Sequence, residues 1–228
     1  MPSAVLLSGG LDSAVLVAEE AGHGGAGSVQ PIYVSVGLAW EPAERRAVER
    51  FLAAMPDAAN LRPLVTLSVD MRDVYPAGHW ALQGRPPGYH TPDEDVYLQG
   101  RNIVLLAKAG IYCASVQIDR IVIGTLDHNP FPDATPAFRA ALASALSLGL
   151  AVPFTIDAPY ARLGKAAVIR RGIERHLPLE LTLSCMNPIL SGAPRHCGVC
   201  SKCRERHDAF VEAGVEDQTD YASRIHTS

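Results

Sequence analysis

Two groups of residues have types and spacings that could do chemistry. The first is Ser8-Gly9-Gly10-Leu11-Asp12-Ser13, which lies between an apolar run at 4–7 and an apolar-periodic stretch at 11–21. That order reads as strand, glycine turn, helix. Adjacent glycines let the backbone turn sharply and present its N–H groups with no Cβ in the way. The helix N-terminus adds free N–H groups and partial positive charge, and Ser8 and Ser13 add hydroxyls. The product is an anion cradle of phosphate or pyrophosphate size. The plainer alternative is a helix N-cap supplied by Asp12 or Ser13.

The second group is Cys185, Cys197, Cys200 and Cys203. Three cysteines at intervals of three can meet at one point. Cys185 can close a tetrahedron across a loop holding Pro188, Gly192 and Pro194. Four thiolates with no open position suit a structural Zn²⁺ ion, and closely spaced cysteines also hold iron–sulfur clusters. His196 is an alternative ligand, but a surface histidine is the expectation. Cys113 sits in an apolar helix and reads as core.

Two further strings are decoys. The run from Gly22 to Gly27 matches G-x-G-x-x-G but follows a helix, so it fails as a dinucleotide fingerprint. Gly164-Lys165 is followed by Ala166, with no glycine five residues before Gly164, and is no Walker loop.

The elements that must position these groups follow from periodicity. Strands are expected at 4–7, 31–36, 64–69, 120–124 and 154–157. Helices are expected at 11–21, 41–55, 102–116, 135–148 and 165–175, with a last short helix inside 185–213. Residues 70–99 carry Pro76, Pro86, Pro87 and Pro92 and little periodicity, which predicts a long loop or lid. Alternating strands and helices predict an α/β fold: a Rossmann-like parallel sheet with helices on both faces. Residues 1–180 form that domain, and 181–228 a small C-terminal zinc-binding lobe packed on it.

The 228 residues are 48% hydrophobic and 19% charged, which provides a full core and excludes a disordered chain or a coiled coil. The net charge of −4 disfavours binding of a nucleic-acid duplex through its phosphates. No apolar run reaches membrane-helix length, and the N-terminus lacks a basic signal-peptide region, so a cytoplasmic location is expected. Clustered cysteines in such a chain point to metal rather than disulfides.

The S-G-G-x-D-S string resembles the PP-loop of ATP pyrophosphatases. Together with the cysteine spacing it resembles the 7-cyano-7-deazaguanine synthases of the queuosine precursor pathway. Gly100-Arg101-Asn102, Pro132-Asp133, Lys165, Leu183-Ser184-Cys185 with Asn187, and Arg206 agree with that family's pattern. The resemblance covers the whole chain. It implies an adenine nucleotide alpha hydrolase-like fold and an ATP-dependent ligase. ATP adenylates 7-carboxy-7-deazaguanine, ammonia displaces AMP, and a second activation gives the nitrile. It further implies that Ser8, Gly9, Gly10, Leu11, Asp12 and Ser13 bind ATP with Mg²⁺. Asp12, Arg101 and Lys165 would be catalytic, and Asn102, Asp127, Phe131 and Asp133 would meet the substrate. A homodimer with no direct nucleic-acid contact completes the expectation.

Two segments depart from the family pattern. Gly37-Leu38-Ala39-Trp40 stands where the family has G-Q-R-H. Asp127-His128-Asn129-Pro130-Phe131-Pro132-Asp133-Ala134-Thr135 stands for D-F-S-G-Y-P-D-C-R. Both lie beyond strand ends, where an acceptor binds, and each lacks an arginine able to pair with a carboxylate. Three other readings remain at this stage. One is a relative that joins a deazapurine acid to another amine. Another is a tRNA sulfur transferase, which wants a catalytic cysteine outside the cluster. The third is a zinc-binding adaptor, which predicts a broken phosphate loop.

Overall fold

A computed structural model describes residues 2–23, 28–56 and 58–223. The strands are β1 (Ser3–Leu6), β2 (Val29–Ser35), β3 (Val65–Ser68), β4 (Arg120–Val122) and β5 (Thr155–Asp157). The helices are α1 (Leu11–Gly22), α2 (Glu41–Ala54), α3 (Trp80–Gln83), α4 (Arg101–Ser115), α5 (Pro136–Leu150), α6 (Lys165–Glu174) and α7 (Ser201–Ala213). All strand pairs are parallel, in the order β3-β2-β1-β4-β5. The chain leaves β1 toward β2 and later returns to its other side as β4. The carboxyl ends of β1 and β4 therefore border the switch point, where open α/β sheets bind ligands.

Successive residues of β1 serve opposite faces, as the strand period of two requires. Val5 packs with α1, α2, α6 and α7, through Leu16, Phe51, Ile169 and Phe210. Ala4 packs with α4 and α5, through Leu106, Cys113 and Leu146. Cys113 is a core residue, as expected, and burial pushes its thiol up to about 12. The expected α/β architecture is present, with helices on both faces of the sheet.

Element limits differ from expectation where polar residues are buried. β2 starts at Val29, two residues before the apolar run, because the Gln30 amide is buried and donates to the carbonyls of Pro31 and Pro63. Pro31 is tolerated there because β3 pairs only from Ile32 onward. Residues 70–99 are not a bare loop. They contain α3 and a 3₁₀ turn, and bury Met71, Tyr75, Ala81, Val96 and Leu98 against Val36, Leu38, Trp40 and Met186. Part of the glycine string at 22–27 lies outside the described residues. Among the described residues, no helix is long and apolar enough to cross a membrane.

The C-terminal segment is bonded into the main sheet. The Leu183 N–H donates to the Gly9 carbonyl at 2.7 Å, and the four cysteines share a buried cluster with Ala43 and Ala47 of α2. Arg206 of α7 is 1% exposed. Its guanidinium donates to Thr219 Oγ1 at 2.7 Å, Thr182 Oγ1 at 2.8 Å and the Leu179 carbonyl at 2.8 Å, over the Phe210 ring. The agreement of Arg206 with the family spacing thus has a structural cause. Replacing Arg206 with Met removes the donor to the Thr182 and Thr219 hydroxyls and one of the donors to the Leu179 carbonyl, which keeps the Thr182 hydroxyl at 2.7 Å. The expected loss of stability is about 3 kcal/mol in urea unfolding, and a loss under about 0.5 kcal/mol contradicts this account.

Candidate active site

The glycine turn follows β1 directly. Gly9 has φ +82°, and a Cβ there would lie 3.1 Å from the Glu44 carbonyl oxygen and from Val48 Cγ2. Glycine is required both for the conformation and for the close approach of α2. From β4, Gly124 approaches equally closely: its Cβ would stand 3.3 Å from the Asp12 carbonyl carbon and the Ser13 nitrogen. Inside the turn, Ser13 Oγ donates to the Gly10 carbonyl at 3.0 Å and accepts from the Ser8 N–H at 3.3 Å. Gly10 is the N-cap of α1 and supplies no side-chain bond, so neither Asp12 nor Ser13 caps the helix. The helix start is left open to an anion.

Lys165, the first residue of α6, reaches across to this turn. Its Nζ is 3.5 Å from Asp12 Oδ2 and pairs more closely with Glu205 of α7. Glu205 also pairs with Lys202. Burial alone would lower the Lys165 pKa, but Asp12 and Glu205 raise it, so the group is an ammonium. Burial raises the Glu205 carboxyl, yet Lys165 and Lys202 outweigh it and hold the group at about 2. Asp12 is raised by burial against the opposing pull of Lys165. Its Oδ1 is buried and has no hydrogen-bond partner among the described residues.

A cavity of about 340 Å³ opens over the ends of β2, β1 and β4. Its lining includes Ser8, Gly10, Asp12, Ser13, Lys165 and Lys202 from the turn and its cationic neighbours. It also includes Tyr33, Trp40, Glu44, Tyr97, Arg101 and Phe131. Arg101 is the first residue of α4, and its Nε is buried without a hydrogen-bond partner among the described residues. Asn102 and Asp133 also line the cavity but bond mainly each other. The Asn102 backbone N–H donates to Asp133 Oδ2 at 3.1 Å and its Nδ2 to Asp133 Oδ1 at 3.2 Å. Asp133 thereby caps α4 and fixes the direction of Arg101. Phe131 is half-buried and stacks on Tyr97 at 5.0 Å. Asp127 is not brought into the cavity; it accepts from its neighbour His128 at the surface. Leu11 lines the cavity and also belongs to the core, whereas Gly9 stands behind the turn.

Sequence reasoning missed Glu44. It is buried in α2, on the apolar stripe with Val48 and Phe51, and that misplaced charge was its only signal. Glu44 Oε2 accepts from the Tyr33 hydroxyl at 3.0 Å and Oε1 from Trp40 Nε1 at 3.0 Å. Trp40, one of the residues that depart from the family pattern, is therefore a site residue. It also stacks on Trp80, with ring centroids 5.7 Å apart. Lys202 and Glu205 were missed as well, because only the fold brings α7 to the glycine turn.

The four cysteine sulfurs all lie within 4.8 Å of one another and are buried. Cys185 and Cys200 are 4.0 Å apart, Cys197 and Cys203 3.8 Å, and Cys200 and Cys203 3.5 Å. The backbone N–H groups of Asn187 and Cys197 donate to Cys185 Sγ, each at 3.3 Å, as suits a thiolate. The group can hold a metal ion. His196 is not at the surface as expected. It is 2% exposed, and its Nε2 accepts from the Ser184 N–H at 3.1 Å, so it braces the cysteine loop.

The fold and site thus define a parallel α/β protein with an open phosphate-type turn and a four-cysteine lobe. The model of the queuosine biosynthesis protein QueC family matches residues 3–214, and the chain belongs to that family. It is 36% identical to the 7-cyano-7-deazaguanine synthase of Methanopyrus kandleri, over 95% of this chain and 97% of that one. The synthase of Anaeromyxobacter dehalogenans is 32% identical, over 96% of this chain and 94% of its own.

Burial raises the Glu44 carboxyl from 4.5 to about 7, against the opposing charge of Arg101 and the Tyr33 hydrogen bond. A carboxyl raised on folding contributes stability that is full below about pH 4.5 and lost as the pH rises through about 7. Wild-type protein should therefore lose stability relative to Glu44→Gln across that interval. Urea unfolding at a series of pH values checks this, and a constant difference between the two proteins contradicts it.

Proposed function

We propose that this chain is an ATP-dependent carbon–nitrogen ligase that converts 7-carboxy-7-deazaguanine and ammonia to 7-cyano-7-deazaguanine. The observation that carries this is one cavity, at the switch point of the sheet, holding an uncapped glycine turn together with Lys165, Lys202 and Arg101. Family membership supplies the substrate class.

The chemistry follows from charge. A carboxylate is a poor electrophile, so its oxygen must first take the α-phosphoryl group of ATP and release pyrophosphate. Ammonia then attacks the acyl adenylate, AMP and a proton leave, and the amide remains. The amide oxygen takes an adenylyl group from a second ATP, with release of pyrophosphate and a proton, and loss of AMP and the remaining N–H proton gives the nitrile. In this scheme the N–H groups at Ser8–Ser13 receive phosphate, and the buried free oxygen of Asp12 offers a ligand to the Mg²⁺ of ATP. Lys165 and Lys202 offset charge on the departing pyrophosphate. Arg101, with its unpartnered Nε, draws in the substrate or phosphate anion.

Cys185, Cys197, Cys200 and Cys203 hold one structural Zn²⁺ on this reading. Their observed separations of 3.5, 3.8 and 4.0 Å bracket the spacing of about 3.8 Å that a tetrahedron with bonds of about 2.3 Å requires. Thiolates on different irons of a cluster stand farther apart. When bound, the ion supplies folding energy to the lobe. Elemental analysis should give one zinc per chain and no iron; iron in place of zinc rejects the assignment.

The direct test is incubation of zinc-loaded protein with ATP, Mg²⁺, ammonium and the acid, read by mass spectrometry. The nitrile should appear together with AMP and pyrophosphate. Asp12→Asn should keep the fold and lower turnover on the order of 100-fold or more. An untouched acid in the presence of ATP rejects the substrate, and an accumulating acyl adenylate points to a different amine.

A further inference from the structure

We propose that Glu44 reads the acceptor by its paired N–H edge: the carboxylate of α2, presented to the cavity by Tyr33 and Trp40, receives the ring N–H and exocyclic amino group of a guanine-type heterocycle. This rests on the synthase reading and names the residue that selects its substrate.

The case begins with hydrogen-bond accounting. Each carboxylate oxygen accepts two bonds. Glu44 Oε2 has one from the Tyr33 hydroxyl and Oε1 one from Trp40 Nε1, both at 3.0 Å. One accepting position per oxygen remains, on a residue that lines the cavity and is only 7% exposed. Both groups that bond the carboxylate are donors, a phenol and an indole, and the Arg101 charge favours its ionised form against burial and Glu41. Above about pH 7 both oxygens are therefore acceptors. A matching ligand edge must therefore offer two donors side by side. Guanine-type rings do so through the ring N–H and the 2-amino group. The adenine edge pairs one donor with one acceptor and would set a ring nitrogen against a carboxylate oxygen.

A second observation points to a flat ligand. Tyr97 and Phe131 stack within 22° of parallel on the wall of the same cavity and offer a π-face beside Arg101. In a 7-carboxy-7-deazaguanine, the donor edge and the carboxyl lie on opposite sides of the bicyclic ring. With the edge on Glu44, the carboxyl is left on the far side of the ring, in the cavity that Ser8, Gly10 and Lys165 also line. The departure at Trp40 becomes intelligible in the same terms, because an indole N–H takes over one oxygen of the recognition carboxylate.

The test is calorimetric titration of full-length zinc-loaded protein at about pH 8.5, above the carboxyl's own value. Three probes are used: the acid, its analogue lacking the 2-amino group, and a non-hydrolysable ATP analogue, present at saturation whenever the first two are titrated. Glu44→Gln should bind the acid roughly 30-fold more weakly while binding the ATP analogue as before. Wild-type protein should discriminate against the des-amino analogue by a similar factor, and Glu44→Gln should lose that discrimination. The des-amino probe needs no substitution, so it decides the matter even if the variant folds poorly. The inference is overturned if Glu44→Gln binds the acid normally, if the loss falls on the ATP analogue, or if wild-type protein ignores the missing amino group. Wild-type protein that binds the ATP analogue but not the acid overturns the synthase reading itself.

Discussion

A partly buried ammonium between Asp12 and Glu205 ties this molecule together. Lys165 opens α6, Asp12 lies in the first turn of α1, and Glu205 belongs to α7, so one side chain joins the glycine turn, the sheet domain and the cysteine lobe. Removing such a charge from water costs several kcal/mol and is offset only when the partners are close and well oriented. The sequence distances are long, 153 residues to Asp12 and 40 to Glu205, so the arrangement forms only when the whole fold is in place. It also loads the turn with positive charge. An anion arriving there meets Lys165 and Lys202, both held in position by Glu205.

The cysteine lobe depends on the same logic at smaller scale. Its sulfurs converge because Leu183 is bonded to the Gly9 carbonyl and because Arg206 gathers Thr182, Leu179 and Thr219 around α7. α7 carries Cys203, Glu205 and Arg206 within four residues. One helix therefore carries a cysteine of the cluster, the carboxylate that holds Lys165 and the arginine that anchors the segment.

Around Glu44 the governing constraint is desolvation. Glu44 lies among apolar neighbours, which raises its pKa, and Arg101 stands near enough to oppose that rise. Asp133 fixes Arg101 indirectly by capping α4 through Asn102. These residues come from α2, α4 and the segment after β4, three parts of the chain that meet only over the carboxyl ends of the sheet. The cavity thus joins the cations beside the glycine turn to a carboxylate and a set of aromatic rings.

Local physics made the framework legible in the sequence. Periods of two and of 3.6 marked the strands and helices, adjacent glycines marked the turn, and cysteine spacing marked the metal group, because each depends only on neighbours in the chain. Segment 70–99 was less legible: its core residues pair with Val36, Trp40 and Met186, which local periodicity does not register. Asp127, Phe131 and Asp133 looked equivalent, yet the fold sends them to the surface, to an aromatic stack and to a helix cap. Glu44, Lys202 and Glu205 acquire their roles solely from what faces them across the cavity. The sequence by itself determined the five strands and the longer helices, the glycine turn and the grouping of the four cysteines. The tertiary structure alone decided which charges are buried together, because burial and opposing partners are properties of the assembled sheet and not of any segment.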